Sequence, residues 1–369
     1  MRILFLLETN SYWMSGIWWH RCKTPAEALK KRGHEVRYVP IAQDNTQLVE
    51  WADVAIFGRT YHQSLKPLEL LRQFKKAGKR VIYDIDDDIW TISKDNLAVM
   101  IGNAFKDQYE GMIKEADACI TPSKVLAKKL KRLTKKPIYI CPNGIDYDYY
   151  KERKKDDKNG RVSIGYMGAA SHWKDLTMIV DVLVDLYQKH DISFDIYGMT
   201  GEPLEASIYY YTKIYEGRLQ PEKDAYYTSA INFYDKLKNM SGRHYPFMPP
   251  ELHPSVLSGC DFDIGIAPLE DTEFNRGKSC VKFYEYASVG TATIASDVEP
   301  YRSEVNYRAK NNKKDWYKKL EKLILDKDFR GKIQKQQSGW VKQNRSLEAL
   351  GVVREKAVLK EGGLKVVNK

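Results

Sequence analysis

The chain has little of what would mark several broad protein classes. Its 369 residues include only five cysteines, Cys22, Cys119, Cys141, Cys260 and Cys280, widely spaced and with no C-x-x-C pair. That argues against a disulfide scaffold and a structural zinc site, and points to a reducing compartment, the cytoplasm. No apolar run approaches the ~20 residues that span a bilayer. The run Ile3-Leu4-Phe5-Leu6-Leu7 is too short for a secretory segment and no small-residue cleavage site follows, so it reads as a first strand. Solenoid repeats and low-complexity tracts are also missing. What remains is a globular composition, 43% hydrophobic and 30% charged, long enough for two domains.

Acidic residues are scarce where basic ones gather. Lys and Arg total 60 against 49 Asp and Glu, a net charge of +11. Residues 308–369 hold 18 basic and 7 acidic side chains, so the other 307 residues balance. The segment Lys124–Lys136 carries seven basic residues and no acidic one. Solvated helix faces are the plain explanation; attraction to a polyanion is the sharper one.

Short apolar runs alternate with helix-like stretches, the pattern of parallel sheets with crossover helices. Strands are predicted at 3–7, 36–39, 54–57, 81–83, 118–121 and 138–141, with helices at 25–32, 68–77 and 123–133, the last capped by Ser123. The charged stretch 151–160 reads as a linker. A second set of strands follows at 162–168, 194–197, 262–267 and 293–295, with helices near 176–189, 278–289 and 316–325. The expected architecture is α/β: a first domain over 1–150 and a second over 161–339, both doubly wound. Such sheets bind ligands beyond their C-terminal strand ends.

The stretch 202–245 breaks the alternation. From Tyr209 to Tyr245, nine of 37 residues are Tyr or Phe, interleaved with Lys213, Arg218, Lys223, Lys236, Lys238 and Arg243. This reads as a helical insertion in the second domain. Aromatics at helical spacing are usually core; the alternative is a stacking platform for a nucleic-acid or sugar acceptor.

The most informative segment is 252–301. A predicted strand ends at Pro268, a polar loop holds Asn275, Arg276 and Gly277, and a helix is expected to open near Lys278-Ser279. On it Lys278, Lys282 and Glu285, four and three residues apart, would share one face. A helix start with two lysines suits a phosphate or diphosphate, and Glu285 a pair of vicinal hydroxyls. A plain surface Lys–Glu pair is the structural alternative.

This segment resembles the C-terminal domain of GT-B nucleotide-sugar glycosyltransferases, specifically retaining family 4, whose signature is E-x(7)-E followed by A-x-x-G-x-P-V-[IV]-A-[ST]. Here the second glutamate matches Glu285, and Ala287 to Ser296 follow the remainder. The resemblance makes Glu285 the donor's ribose ligand. The first glutamate falls on Gly277, leaving Glu270, Asp271 or Glu273 as substitutes from the loop. Pro142-Asn143-Gly144-Ile145-Asp146 is similar to the P-N-G-[IV]-D that closes the family's first domain. The segment from Ile164 through Gly168 to Lys174-Asp175 is similar to its G-R-x-x-x-x-K-G loop. Lys174 falls on the diphosphate lysine, while Ala169 occupies the arginine position, with His172 or Arg276 as replacement. The strand-end Thr121-Pro122-Ser123 fits the same pattern.

The first domain is then expected to hold the acceptor. The loop after the first strand, 10–19, carries Trp13, Gly16, Trp18 and Trp19, whose indoles either stack on sugar or base rings or join the core. The run Asp84-Ile85-Asp86-Asp87-Asp88 sits at a strand end, where close carboxylates need a cation or hydroxyl partner. Asp86 and Asp87 read as acceptor-orienting groups or a brace to Arg59, and His62 as a group near the acceptor hydroxyl. No bound metal is expected, because GT-B enzymes generally work without one.

The resemblance implies two Rossmann-like domains facing a central cleft, with the chain beyond residue 340 (340–369) crossing back onto the first. It implies a retaining glycosyltransferase that uses an NDP-sugar, UDP-linked by expectation, with no permanent cofactor. Catalytic groups would be Asp86, Asp87, His62 and Lys174. Donor ligands would be Gly168, His172, Lys174, Arg276, Lys278, Ser279, Lys282 and Glu285; acceptor ligands Trp13, Gly16, Trp18 and Arg59. The basic segments and the aromatic insertion favour a polyanionic acceptor, with a hydroxymethylated DNA base first and a cell-surface glycan or lipid-linked sugar as alternatives. By analogy, the Asp-rich strand end resembles phage-encoded relatives. An NDP-sugar epimerase and a non-catalytic binding protein are the rival classes.

Overall fold

The computed structural model describes residues 1–7, 16–41, 45–59, 66–92, 102–151, 161–169, 172–198, 229, 232–233, 235–237, 239–245 and 248–360. Trp13 and His62 lie outside these residues, as do nearly all of the expected linker 151–160 and most of the insertion 202–245.

Two six-stranded parallel sheets form the frame. The first contains β1 (Arg2–Leu7), β2 (Glu35–Pro40), β3 (Val54–Phe57), β4 (Arg80–Asp84), β5 (Ala118–Thr121) and β6 (Ile138–Ile140), in spatial order β2-β1-β3-β4-β5-β6. The second contains β7 (Val162–Met167), β8 (Ile192–Tyr197), β9 (His244–Tyr245), β10 (Ile264–Ala267), β11 (Ala292–Ser296) and β12 (Arg308–Ala309), in order β12-β11-β10-β7-β8-β9. Strands β3, β5, β7, β10 and β11 are buried along their whole length, as expected where helices cover both sheet faces. That double burial explains why these strands read as continuous apolar runs.

In each sheet the chain order reverses around the first strand: β1 lies between β2 and β3, and β7 between β8 and β10. A crevice must open beyond the carboxyl ends of strands at such a reversal. The two crevices are therefore specified by topology, beyond β1 and beyond β7.

Several element boundaries differ from the sequence reading. The helix expected to open at Lys278-Ser279 spans Val281–Ser288, with Cys280 at its N-cap. Lys278 therefore precedes the helix, and the shared helical face of Lys278, Lys282 and Glu285 does not form. The predicted helix 176–189 is two, Trp173–Thr177 and Val180–Lys189. Strands β9 and β12 pass unrecognised in sequence because two residues carry no periodicity. In the insertion, His244–Tyr245 adds a strand to the second sheet, and Phe233, Leu237 and Met240 are buried in that sheet's core. For Phe233 the core reading of the aromatics is the correct one.

The helix Lys327–Arg345 covers the second sheet, where Gln337 bonds both Thr293 N and Thr293 O of β11. Ser346 ends it and caps the next helix, Leu347–Leu359, which packs on the helix Thr24–Lys30 beside the first sheet. At the return crossing, Ile145 N donates to Arg345 O at 2.7 Å, so the outgoing and returning segments pair as they pass.

Candidate active site

The two crevices meet in one cavity of about 570 Å³. Gly16, His20 and Arg21 after β1 face Met167, Gly168 and His172 after β7. A volume of this size suits a nucleotide-sized ligand.

One wall is cationic. His172 lies below the short helix Trp173–Thr177, its Nδ1 2.8 Å from Asp175 Oδ2 and its Nε2 3.4 Å from Lys278 Nζ. Burial, then the charges of Lys278 and Lys282, push His172 down to about 4, so the imidazole is neutral at physiological pH. The carboxylate takes the Nδ1 proton as its donor, which leaves Nε2 to accept from Lys278. His172 thus holds Lys278 in place while itself lining the cavity. Asp175 is itself fixed by Glu270 N at 2.8 Å and by Asn275. Burial and the neighbouring Lys278 lower Lys282 to about 8. One buried lysine in the wall, with a second close enough to repel it, favours an anion carrying more than one charge.

Glu285 lines the same cavity, yet it is 3% exposed and shared by three donors. Tyr150 Oη donates to Glu285 Oε1 at 2.7 Å, and the Nε2 atoms of His20 and His253 stand 3.3 and 3.2 Å from that oxygen. Burial alone would raise this carboxyl; His253 and His20 outweigh it and hold Glu285 well below the usual carboxylate range. Tyr150 and His20 come from the first half of the chain, and His253 and Glu285 from the second. Sequence reading missed both histidines and the tyrosine because their meeting depends on packing between the halves.

The acidic strand end is resolved by cations. Asp84 is bridged by Arg21 and Arg354, Asp88 by Lys129, and Asp86 and Asp87 by Arg59 at 3.3 and 2.8 Å. The brace to Arg59 is therefore present. Burial, with the negative charges of Asp87 and Asp84, raises Asp86 to about 6 against the pull of Arg59. For Asp87 burial is outweighed by Arg59 and Lys278, and its acidity increases. Asp86 lines the cavity, so of this run it is the carboxylate that faces a ligand.

Other sequence candidates are placed elsewhere. Trp18 is 2% exposed and belongs to the core, packed against Trp19 and Tyr38, so it offers no stacking face. Trp19 reaches the cavity wall with Lys23 Nζ 3.9 Å above its ring. Lys174 does not line the cavity, and its Nζ lies 6.0 Å from the Trp173 ring. Arg276 is tied to Asp271 at 2.6 Å, outside the wall. Glu270, Asp271 and Glu273 do not line it either, and Glu273 instead pairs with Lys129. Gly16, Gly168, His172, Ser279, Lys282 and Glu285 do line it; Lys278 does not, and is held beside it by His172 Nε2 at 3.4 Å. Gly277, where the family pattern places its first glutamate, is a contact between the halves: Ser123 Oγ donates to Gly277 O at 2.7 Å, and a Cβ there would stand 3.4 Å from that of Asp88.

No family model and no curated protein matches the chain. Solved structures do. A glycosyltransferase from Rickettsia africae ESF-5 aligns with TM-score 0.65 and 15% identity over 98% of this chain and 99% of that one. An alpha-glucosyltransferase (AGT) in complex with UDP aligns with TM-score 0.65 and 13% identity over 98% and 100%. The fold is GT-B. A third GT-B structure, Anabaena Alr3699/HepE in complex with UDP-glucose, aligns with TM-score 0.61 and 13% identity over 97% and 100%. At such identities the likeness speaks for the GT-B architecture alone. Among the described residues, no helix is long and apolar enough to cross a membrane, and no group of three or more His, Cys, Asp or Glu is arranged to hold a metal.

Proposed function

We propose that the chain is a retaining glycosyltransferase that moves a sugar from a UDP-sugar to an acceptor hydroxyl. The observation that carries this is the single cavity at the meeting of the two crevices. Lys282, Ser279 and the carboxylates of Glu285 and Asp86 line it, and Lys278 adds a second positive charge from outside the lining, 3.4 Å from His172 Nε2. The solved neighbours with UDP or UDP-glucose support the donor class.

In this reading Lys278, Lys282 and Ser279 neutralise charge that builds on the diphosphate as the bond from the sugar's anomeric carbon to the phosphate oxygen breaks. The acceptor oxygen bonds to that carbon on the same face, and its proton passes to the departing phosphate. Glu285 receives the ribose hydroxyls on the oxygen that Tyr150 and the histidines leave open. Asp86 orients the acceptor hydroxyl, braced by Arg59. Closure between the sheets excludes water, which otherwise hydrolyses the donor.

Much of the aromatic, basic stretch that pointed to a DNA base lies outside the described residues. The acceptor is therefore proposed only as a hydroxyl presented to Asp86. The test is titration of the chain with UDP, UDP-glucose and other nucleotide sugars, followed by release of UDP in the presence of glycan, lipid-linked and hydroxymethylated-DNA acceptors. UDP binding that is lost in a Lys278→Met/Lys282→Met double variant supports the reading. Absence of binding by any nucleoside diphosphate refutes it.

A further inference from the structure

The last helix returns to the first sheet, far along the chain from the cavity, yet it is wired to the cationic wall. Arg354 on this helix is fully buried, and its Nη1 donates to Asp84 Oδ2 at 2.6 Å. Asp84 Oδ1 accepts from Arg21 Nε at 3.0 Å and Nη2 at 2.6 Å. The third nitrogen of that guanidinium, Arg21 Nη1, donates to Cys141 O and to Asn143 Oδ1, both at 2.8 Å. Asn143 Nδ2 then crosses between the halves to Ser279 Oγ at 2.9 Å.

The polarity of this chain is determined at every step. A guanidinium only donates, so the atom of Asn143 that faces Arg21 must be its oxygen, and the amide cannot flip. Its NH₂ group therefore faces Ser279 and makes Oγ an acceptor. No described residue accepts the Ser279 hydroxyl proton, and Ser279 lines the cavity beside Lys282. Two guanidinia share one carboxylate, and Arg354 Nε and Nη2 have no hydrogen-bond partner among the described residues, so the assembly carries excess positive charge.

We infer that Arg354, Asp84, Arg21 and Asn143 form a positioning relay that turns Ser279 into an obligate hydrogen-bond donor to an anion in the cavity, the diphosphate of the donor. The inference rests on the donor reading given above. It makes Arg354 and Asn143 positioning residues for the leaving group, although neither the basic segment 308–369 nor the P-N-G turn suggests such a role in sequence. Removing Arg354 leaves Asp84 paired with Arg21 but frees Asp84 Oδ2, so the fork of Arg21 loses its fixed orientation.

The test is calorimetric titration of the full chain with UDP and with uridine. The panel is wild type, Ser279→Ala, Asn143→Leu, their double variant, Arg354→Met and Arg354→Lys, each first checked by thermal melting. Ser279→Ala and Asn143→Leu should each weaken UDP binding by roughly five- to tenfold, the loss of one charge-assisted hydrogen bond. The double variant should be no weaker than either single one, because both remove the same contact. Uridine, which has no phosphate, should bind all variants alike. Arg354→Met should weaken UDP several-fold, while Arg354→Lys, which keeps the charge, should restore most of the affinity. Multiplying losses in the double variant, or an equal loss for uridine and UDP in Asn143→Leu, overturns the relay. So does wild-type UDP affinity in Arg354→Met. If Arg354→Met does not fold, the Ser279–Asn143 cycle decides alone. If wild type binds no UDP, the donor reading falls and the relay with it; if wild type binds and the single variants match it, only the relay falls.

Discussion

Two ionisable side chains in the cavity wall give the site opposite responses to pH. Lys282, lowered to about 8 by burial and by Lys278, is charged below that pH and neutral above it. A diphosphate binds the charged form, so UDP affinity should fall as pH rises through about 8, and Lys282→Met should remove that inflection. Calorimetric titration between pH 6.5 and 9.5 checks this. Glu285 behaves in the reverse sense. Its folded-state acidity is stronger than its ordinary value of 4.5, so its contribution to stability is complete above that pH and is lost as pH falls below it. Glu285→Gln removes the charged acceptor that Tyr150, His20 and His253 share and should cost about 1.5–3 kcal/mol at neutral pH, as losing a buried hydrogen bond to a charged group does. The difference from wild type should shrink on acidification, measured by urea unfolding at pH 7 and pH 4. The same residue shows how far sequence could reach. Its candidacy was legible from Ala287 to Ser296 downstream, and it lines the cavity, but Tyr150, His20 and His253 carry no local signal that they converge on it.

At the scale of elements, the parallel pairing of strands β7 and β10 shows what packing demands of sequence. Gly165 and Gly265 are register partners on these adjacent strands. A Cβ on Gly165 would lie 2.1 Å from Phe262 Cγ, and one on Gly265 2.6 Å from Tyr286 Cγ. The paired glycines make a slot for two aromatic rings, and Tyr286 Oη there accepts from Met167 N at 2.6 Å, at the strand end that opens into the cavity. Gly165→Ala should therefore destabilise the chain by about 1–3 kcal/mol through overpacking, with an unchanged denaturant slope. The strands themselves were legible because burial on both faces demands apolar runs. The start of the helix at Val281 was not. Lys278 and Ser279 look like a first turn, but Gly277 O is engaged by Ser123 from the other half, and the chain stays irregular until Cys280.

At the scale of the molecule, the two halves are joined where the chain passes between them twice. Gly144 sits at that crossing, where a Cβ would meet Arg345 O and Leu350 Cδ2, each at 3.0 Å. Gly144→Val should push the outgoing and returning segments apart, lowering the melting temperature and, under the proposed function, sugar transfer, while far-UV circular dichroism stays that of the wild type. Across the cleft, Lys129 of the first half bridges its own Asp88 and Glu273 of the second, at 2.6 and 3.2 Å. The Glu273 arm is solvent-facing whereas Asp88 is buried, so Glu273→Gln, which opens the bridge and leaves Lys129 on Asp88, should change unfolding free energy by less than about 1 kcal/mol. Loss of the bridge should instead raise the apparent KM for donor through easier opening, measured by UDP release at varied donor concentration.

The sequence by itself determined the α/β class, two parallel sheets and most strand positions, because period and burial leave a local imprint that neighbouring residues carry together. It also offered Lys282, Ser279, Glu285 and Asp86 as candidates, and all four line the cavity, since the motif around Glu285 and the acidic strand end are local patterns. Only the tertiary structure decided which side chains meet: that Trp18 is core, that Lys174 and Arg276 lie outside the cavity lining, that two histidines approach Glu285, and that Arg354 reaches Asp84. The meetings of His20 with Glu285 and of Arg354 with Asp84 bring side chains up to 270 residues apart within 4 Å. Spacing along a chain does not encode such approaches; they arise when two sheets, each reversing at its first strand, close their carboxyl ends upon one another.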